Sequence, residues 1–256
     1  MRFNPPSQKL IDEAADLVVS ACKKSFSSNL ECVILKGSAV KGDFIPDYSD
    51  FDFHVYLNPK AMESERIPKI DYALKFQKAF GHVKPEDYGV SQFQIYFIDS
   101  QHYPADWVPP VEGTFKVVWG RIPLAAMEVD NQVYVQQANE NLKTVEDTRK
   151  TLVGKFVDKP DAGIPTLVRL LGTFLKGYMY SVLILLSDKP KDGLRLRLDE
   201  MIALVEKGVG SKGHLNAYFD QVSDWATIQQ NSDKARTAFK EGMAALDEIG
   251  HWFNNR

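Results

Sequence analysis

Cysteine is almost absent. Cys22 and Cys32 are the only two in 256 residues, and their spacing fits neither a disulfide framework nor a zinc site. Both read as small buried apolar residues. Long apolar runs are missing too. The longest, YMYSVLILL, ends at Leu186 and falls well short of the roughly 20 residues that a membrane-crossing helix needs. The opening MRFNPPSQKLIDEAADLVVSAC carries two prolines and several acids where a signal peptide would need an apolar stretch. The expectation is a cytoplasmic protein with no membrane partner. There is no excess of positive charge: 31 Lys and Arg against 34 Asp and Glu give a net charge of -3. That argues against a nucleic-acid partner held by a broad basic surface, because such binding needs many phosphate-neutralising cations. Small anions remain possible ligands.

What is present is ordinary globular composition, 44% apolar and 25% charged, enough for one large domain or two medium ones. Residues 7 to 26 place Leu10, Ile11, Ala14, Leu17, Val18, Ala21 and Cys22 at helical spacing, with Ser7 as N-cap after Pro5 and Pro6. Short β-rich runs follow at CVILK, FDFHVYL, QFQIYFI and FKVVWG, with a helical IDYALKFQKAF between the second and third. From about Pro123 these give way to long helical patterns: AAMEVDNQVYVQQANENLKTVEDTRKTLVGKF, PTLVRLLGTFLKGYMYSVLILL, GLRLRLDEMIALVEKG, HLNAYFDQVSDWATIQQ and DKARTAFKEGMAALDEIGHWF. The prolines of DSQHYPADWVPPVEGT mark a loop on the first half, since a strand follows it. The predicted class is α+β, with a mixed sheet and flanking helices over 1–122 and a helical bundle over 123–256.

The stretch GSAVKGDFIPDYSDFDFHV, from Gly37 to Val55, carries the chemistry. Alternation along a strand puts Phe51, Phe53, Val55 and Leu57 on one face and Asp50, Asp52 and His54 on the other, so two carboxylates point the same way. A strand that runs into Gly37 and Ser38 and then a helix start leaves backbone N–H groups free for an anion such as phosphate, and glycine lets the ligand come close. Two carboxylates facing that turn suit Mg²⁺, which takes one or two carboxylates plus substrate phosphates. Alone, Asp-x-Asp reads as a solvent-facing strand; combined with the Gly-Ser turn it reads as a metal–nucleotide site.

An apolar strand, Gly-Ser, a spacer and then Asp-x-Asp resembles the nucleotidyltransferase superfamily that includes DNA polymerase β and the antibiotic nucleotidyltransferases. Within it the chain is most similar to the streptomycin and spectinomycin adenylyltransferases, through GSAV, Gly42, Pro46 and Ser49-Asp50, then PADWVPP followed by VVWGR, and more faintly TLVR at 166 to 169. The resemblance covers the first half well and the helical half loosely. It implies that Ser38 and Ser49 contact the triphosphate, that Asp50 and Asp52 hold Mg²⁺ against it, and that the helical domain forms the other wall. Lys191 is the implied phosphate cation, in a PKD context after a helix, with Lys176 as the other candidate. The implied reaction is transfer of a nucleoside monophosphate, with ATP the expected donor, to a hydroxyl of a small acceptor such as an aminoglycoside.

One position departs from the pattern. The family has a third carboxylate, the general base of its antibiotic-modifying members, on the strand that reads QFQIYFI here, and the matching residue is Gln94. By alternation Phe93, Ile95 and Phe97 enter the core, while Gln92, Gln94 and Tyr96 take the other face. Gln94 would thus reach the cleft without being able to accept a proton. Asp99, at the strand end, is the other acid that could bend into reach. Positioning and metal charge supply most of phosphoryl-type catalysis, so the transferase reading stands beside a second one, a nucleotide-binding protein with little turnover, antitoxin-like or regulatory. His54 receives no role. Trp107, Trp119, Trp225 and Trp252 read as core or domain-interface residues.

Overall fold

The structure is a computed structural model that describes residues 3–104, 107–123 and 130–256. The chain is α+β and divides into two compact units, Asn4–Val129 and Asp130–Arg256, the latter including Met1–Phe3. Ala105 and Asp106 of the PADWVPP segment, and the start of the first predicted helix of the second half, lie outside the described residues.

The first unit opens with α1 (Gln8–Phe26), whose N-cap Ser7 accepts a hydrogen bond from the Leu10 N–H at 3.2 Å. There follow β1 (Leu30–Lys36), the single turn α2 (Ser38–Lys41), β2 (Phe51–Leu57), a small hairpin of β3 (Met62–Ser64) and β4 (Ile67–Pro68), α3 (Ile70–Phe80), β5 (Phe93–Asp99) and β6 (Phe115–Gly120). The hairpin has no counterpart in the sequence reading; its strands of three and two residues are too short to set up an alternation.

The main sheet has the order β5-β2-β1-β6. β1 pairs antiparallel with β2 and β6, whereas β2 and β5 run parallel. A parallel pair needs a crossover between its strands, and α3 lies in that connection. On one face of the sheet, Val33, Leu35, Phe51, Phe53, Val55 and Leu57 pack with Ile11, Ala14, Val18 and Cys22 of α1 and Phe76 of α3. Phe93, Ile95 and Phe97 join the same core, as their parity requires. A smaller cluster of Cys32, Ile34, Tyr56, Ile98 and Trp107 covers part of the opposite face. Both cysteines are free thiols with no exposed surface; burial pushes each up to about 12.

Register turns this alternation into rows that cross three strands. Lys36, Asp52 and Gln94 stand abreast on β1, β2 and β5; the next row on that face is Ile34, His54 and Tyr96, and the next is Cys32, Tyr56 and Ile98. The first row lies beyond the edge of the small cluster, so the polar groups gather at the end of the sheet where β1 turns into α2.

The second unit is helical: α4 (Asn131–Lys143), α5 (Val145–Val157), α6 (Ile164–Leu186), α7 (Pro190–Gly193), α8 (Leu198–Val209), α9 (His214–Val222), α10 (Trp225–Gln230) and α11 (Ser232–Asn254). The first predicted run is two helices. They meet at Thr144, whose hydroxyl donates to the Asn141 carbonyl at 2.7 Å and touches the Tyr178 hydroxyl at 2.9 Å. Such a side-chain bond to the backbone competes with the helical ladder. HLNAYFDQVSDWATIQQ is likewise two helices, divided at Ser223 and Asp224. The apolar run around Leu183 belongs to a longer element than its own length suggested. Asp161–Leu186 is long and apolar enough to cross a membrane, yet 61% of its most apolar window is buried among its neighbours. α6 packs against α4, α5, α7, α8 and α11 as the central helix of this unit, with the Asn141 amide donating to Ser181 Oγ at 2.9 Å.

Candidate functional site

The candidate site begins at Gly37, which joins β1 to α2 with φ +78° and ψ -150°. Only glycine occupies that region without strain. A Cβ built there would run into the Asp52 carboxylate, so the bare backbone of the turn and the acid share one small space. α2 is a single turn, with Val40 and Lys41 N–H both donating to the Gly37 carbonyl at 3.0 Å. An aligned macrodipole needs more turns than this, so any pull on an anion comes from the N–H groups that open the turn.

The loop between α2 and β2 is anchored from both sides. The Lys41 ammonium meets the Asp43 carboxylate at 3.9 Å with both side chains almost wholly buried. Beyond it, the Asp47 N–H donates to the Gly89 carbonyl at 2.8 Å, Ser91 N–H to Ser49 O at 3.0 Å, and Phe51 N–H to Gln92 O at 3.2 Å. Asp50 sits just ahead of β2, accepting from the Ser91 hydroxyl and from the Gln92 amide, the latter at 3.3 Å. These two bonds orient Asp50.

Tyr96 reports the common face of the two acids. Its phenol, 43% exposed, is pushed up by burial and then by the charges of Asp52 and Asp50, against the Arg66 charge and a hydrogen bond from the Gln94 amide. Arg66 is at the tip of the β3–β4 hairpin, tied to the sheet where the Asp99 N–H donates to the Glu65 carbonyl at 2.9 Å.

His54 follows Asp52 on this face, with only 7% of its surface exposed. Its ring stands edge-on to Tyr96 at 5.5 Å, and its Nδ1 is buried without a hydrogen-bond partner among the described residues. Burial, then the charges of Lys36 and Arg66, hold it well below the usual histidine range. That environment favours the neutral imidazole.

The structure therefore brings together Gly37, Ser38, Asp50, Asp52 and Gln94. Ser49 is close in sequence but buried, and its hydroxyl accepts the Ile45 N–H at 3.0 Å to close the preceding turn. Asp99 does not bend into the site. It is buried at the far end of β5, where its carboxylate accepts the N–H groups of Gln101 at 2.8 Å and His102 at 3.0 Å and meets the His102 ring at 3.3 Å. Lys191 belongs to the helical unit, with its ammonium 5.5 Å from the centre of the Tyr134 ring; Lys176 is half-buried on α6. Of the tryptophans, Trp107 and Trp225 are buried and Trp119 and Trp252 half-buried.

Lys36 was missed by the sequence reading. In the sequence it is simply the end of an apolar strand, although the alternation that sends Val33 and Leu35 into the core sends Lys36 to the other face. It is half-buried; loss of hydration lowers its ammonium and the Asp52 charge raises it.

Among the described residues no group of three or more His, Cys, Asp or Glu side chains is gathered as a metal cage. Two carboxylates oriented to one side do fit Mg²⁺ in its usual role, where substrate phosphates and water complete the shell. No family model matches the chain, and no curated protein matches it by sequence.

Proposed function

We propose that the first unit is a nucleotidyltransferase-type domain whose Gly37–Ser38 turn and Asp50/Asp52 pair bind the magnesium complex of a nucleoside triphosphate, with ATP as the expected nucleotide. The observation that carries this reading is the close fit of the Asp52 carboxylate against the bare Gly37 backbone, with Asp50 on the same side. Phosphate oxygens held by the turn would then lie beside both acids. Asp50 and Asp52 would hold Mg²⁺, which when bound supplies the positive charge that offsets the triphosphate. Gly37 and Ser38 would receive phosphate. Ser49, whose hydroxyl is engaged in its own turn, would act by fixing the position of Asp50. Lys191 enters this reading only through the family resemblance, as a phosphate cation.

The reaction is attack of an acceptor hydroxyl on the α-phosphorus. The new phosphorus–oxygen bond forms as the bond to the bridging oxygen breaks, pyrophosphate leaves, and the hydroxyl proton passes to water because the Gln94 amide cannot accept it. A small hydroxylated acceptor of the aminoglycoside class is the substrate that the resemblance implies. Two free, buried thiols and a nucleotide substrate fit a cytoplasmic protein.

A second reading, a nucleotide-binding protein with little turnover in an antitoxin-like or regulatory role, draws on a specific observation. The row across the sheet is Lys36, Asp52, Gln94, a cation and an amide flanking the acid where catalysis would want more negative charge. Incubation with labelled nucleoside triphosphates and Mg²⁺, with and without aminoglycosides, separates the two readings. Release of pyrophosphate that requires an acceptor supports the transferase. Mg²⁺-dependent binding without release supports the binding protein. If calorimetry finds undiminished Mg²⁺-dependent ATP affinity in the Asp50→Asn/Asp52→Asn double variant, the metal assignment fails under both.

A further inference from the structure

Lys36 is given no role toward the ligand in either reading, yet its position is distinctive. It ends β1 directly opposite Asp52, and side chains so opposed in an antiparallel pair have their Cβ atoms about 5 Å apart. Phe115 of β6 flanks it on the other side. Half-buried, the ammonium loses hydration, and the Asp52 charge is what sustains it. The same ammonium is felt one row down at His54, where it adds to burial in lowering the imidazole's proton affinity. Arg66 adds a second positive charge near His54 and Tyr96. Asp52 thus faces a cation across the strand pair, which is not the electrostatics of a site that holds a bare divalent ion. Nor is it hostile to an anion.

Taking the metal–nucleotide reading of Asp50 and Asp52 as given, we propose that Lys36 is an exchangeable internal counter-ion. Without ligand it offsets the charge of Asp52 and keeps the acid pair a poor site for a free divalent cation. When a polyphosphate arrives, the compact ammonium on its flexible four-carbon stem turns to the phosphate oxygens and leaves Asp52 to the metal. The site then selects the metal–nucleotide complex over the free metal. It also has affinity for polyphosphate without metal, which two unaccompanied aspartates would repel.

One substitution tests this with opposite signs in two titrations. Lys36→Met keeps most of the stem and removes the charge. It should tighten binding of Mn²⁺ alone, followed by electron paramagnetic resonance, by about tenfold, the consequence of ~1.4 kcal/mol of lost competition. It should weaken binding of inorganic tripolyphosphate in EDTA by a similar factor. Lys36→Arg should leave both near the wild-type values. A lysine that merely packs would not move the two affinities in opposite directions, so unchanged or weaker Mn²⁺ binding in a folded Lys36→Met protein overturns the proposal. So does unchanged tripolyphosphate binding. Should Lys36→Met fail to fold, the wild-type protein still decides, because absence of tripolyphosphate binding in EDTA overturns the proposal and its presence supports it. The Asp50→Asn/Asp52→Asn variant in the Mn²⁺ titration keeps the two ideas apart. If Mn²⁺ binding survives it, the acid pair is not the metal site; if Mn²⁺ binding is lost there but Lys36→Met changes nothing, only the counter-ion role is lost.

Discussion

Asp52 and Gln94 are register partners across the parallel β2–β5 pair, so the amide occupies the neighbouring place on the face that holds the acid. Gln94→Glu would set a third carboxylate beside Asp50 and Asp52 with almost no change in volume. If the chain is a slow transferase, turnover should rise, because a positioned general base contributes roughly a hundredfold to ten-thousandfold. Pyrophosphate release measures it. Tighter Mg²⁺ binding with no faster release would identify a binding protein. No change in either quantity would mean that the Gln94 side chain does not reach the site.

Gly37→Ala should damage both the fold and the site. The backbone there lies in a region that side chains avoid, at a cost of about 1–3 kcal/mol, and the added methyl group meets the Asp52 carboxylate. A lowered denaturation midpoint together with loss of Mg²⁺-dependent triphosphate binding is expected. Wild-type binding in the variant would dissociate the turn from the ligand.

The parts of this arrangement that could be read in the sequence are those set by period. The 2-residue alternation of β2 and β5 sorted Phe51, Phe53, Phe93 and Ile95 from Asp52 and Gln94, and the 3.6-residue period of α1 with its Ser7 cap fixed the helix against the sheet. What could not be read depended on partners distant in the chain. Lys36 became notable only once β1 was paired with β2, because strand order and register are not written in either strand alone. Ser49 illustrates the reverse. As part of a motif it looked like a ligand contact, while its hydroxyl is engaged by Ile45, four residues away, in a turn whose shape has no periodic signature. The split at Thr144 was hidden for a similar reason, since threonine is tolerated inside helices and only its bonds to Asn141 and Tyr178 divide the run.

His54 should make the first unit sensitive to acid. Its proton affinity is depressed in the folded state by burial and by Lys36 and Arg66, so the unfolded chain binds more protons once the pH falls below the ordinary histidine value of about 6.5. Stability is therefore intact above that pH and declines as the pH drops towards the folded-state value, with a slope of up to about 1.4 kcal/mol per pH unit. Denaturant titrations of wild type and His54→Phe between pH 7 and 5, a range that spans the ordinary value of about 6.5, test this. The variant should lack that component, and parallel curves would refute the assignment.

Lys41→Met removes one half of the buried pair behind the Gly-Ser turn. Stripping a buried carboxylate of a charged partner destabilises by about 3 kcal/mol, so the variant should unfold at clearly lower denaturant. An exposed pair such as Lys9 and Glu13 is the internal control: Lys9→Met should shift stability by well under ~1 kcal/mol. Equal effects would mean that the Lys41–Asp43 contact is not the brace of this loop.

The strand order has a consequence for how the site moves. β2 is an interior strand, with β1 on one side and β5 on the other, so its amides are enclosed by ladders that open only with the whole unit. By hydrogen exchange Phe51–Leu57 should be among the slowest segments, while Gly37–Gly42, a single helical turn at the end of a strand, should exchange through local opening. The two halves of the site therefore run on different clocks: Asp52 rides on backbone that keeps one position for the lifetime of the folded state, and the glycine turn opposite it can adjust to each phosphate that arrives.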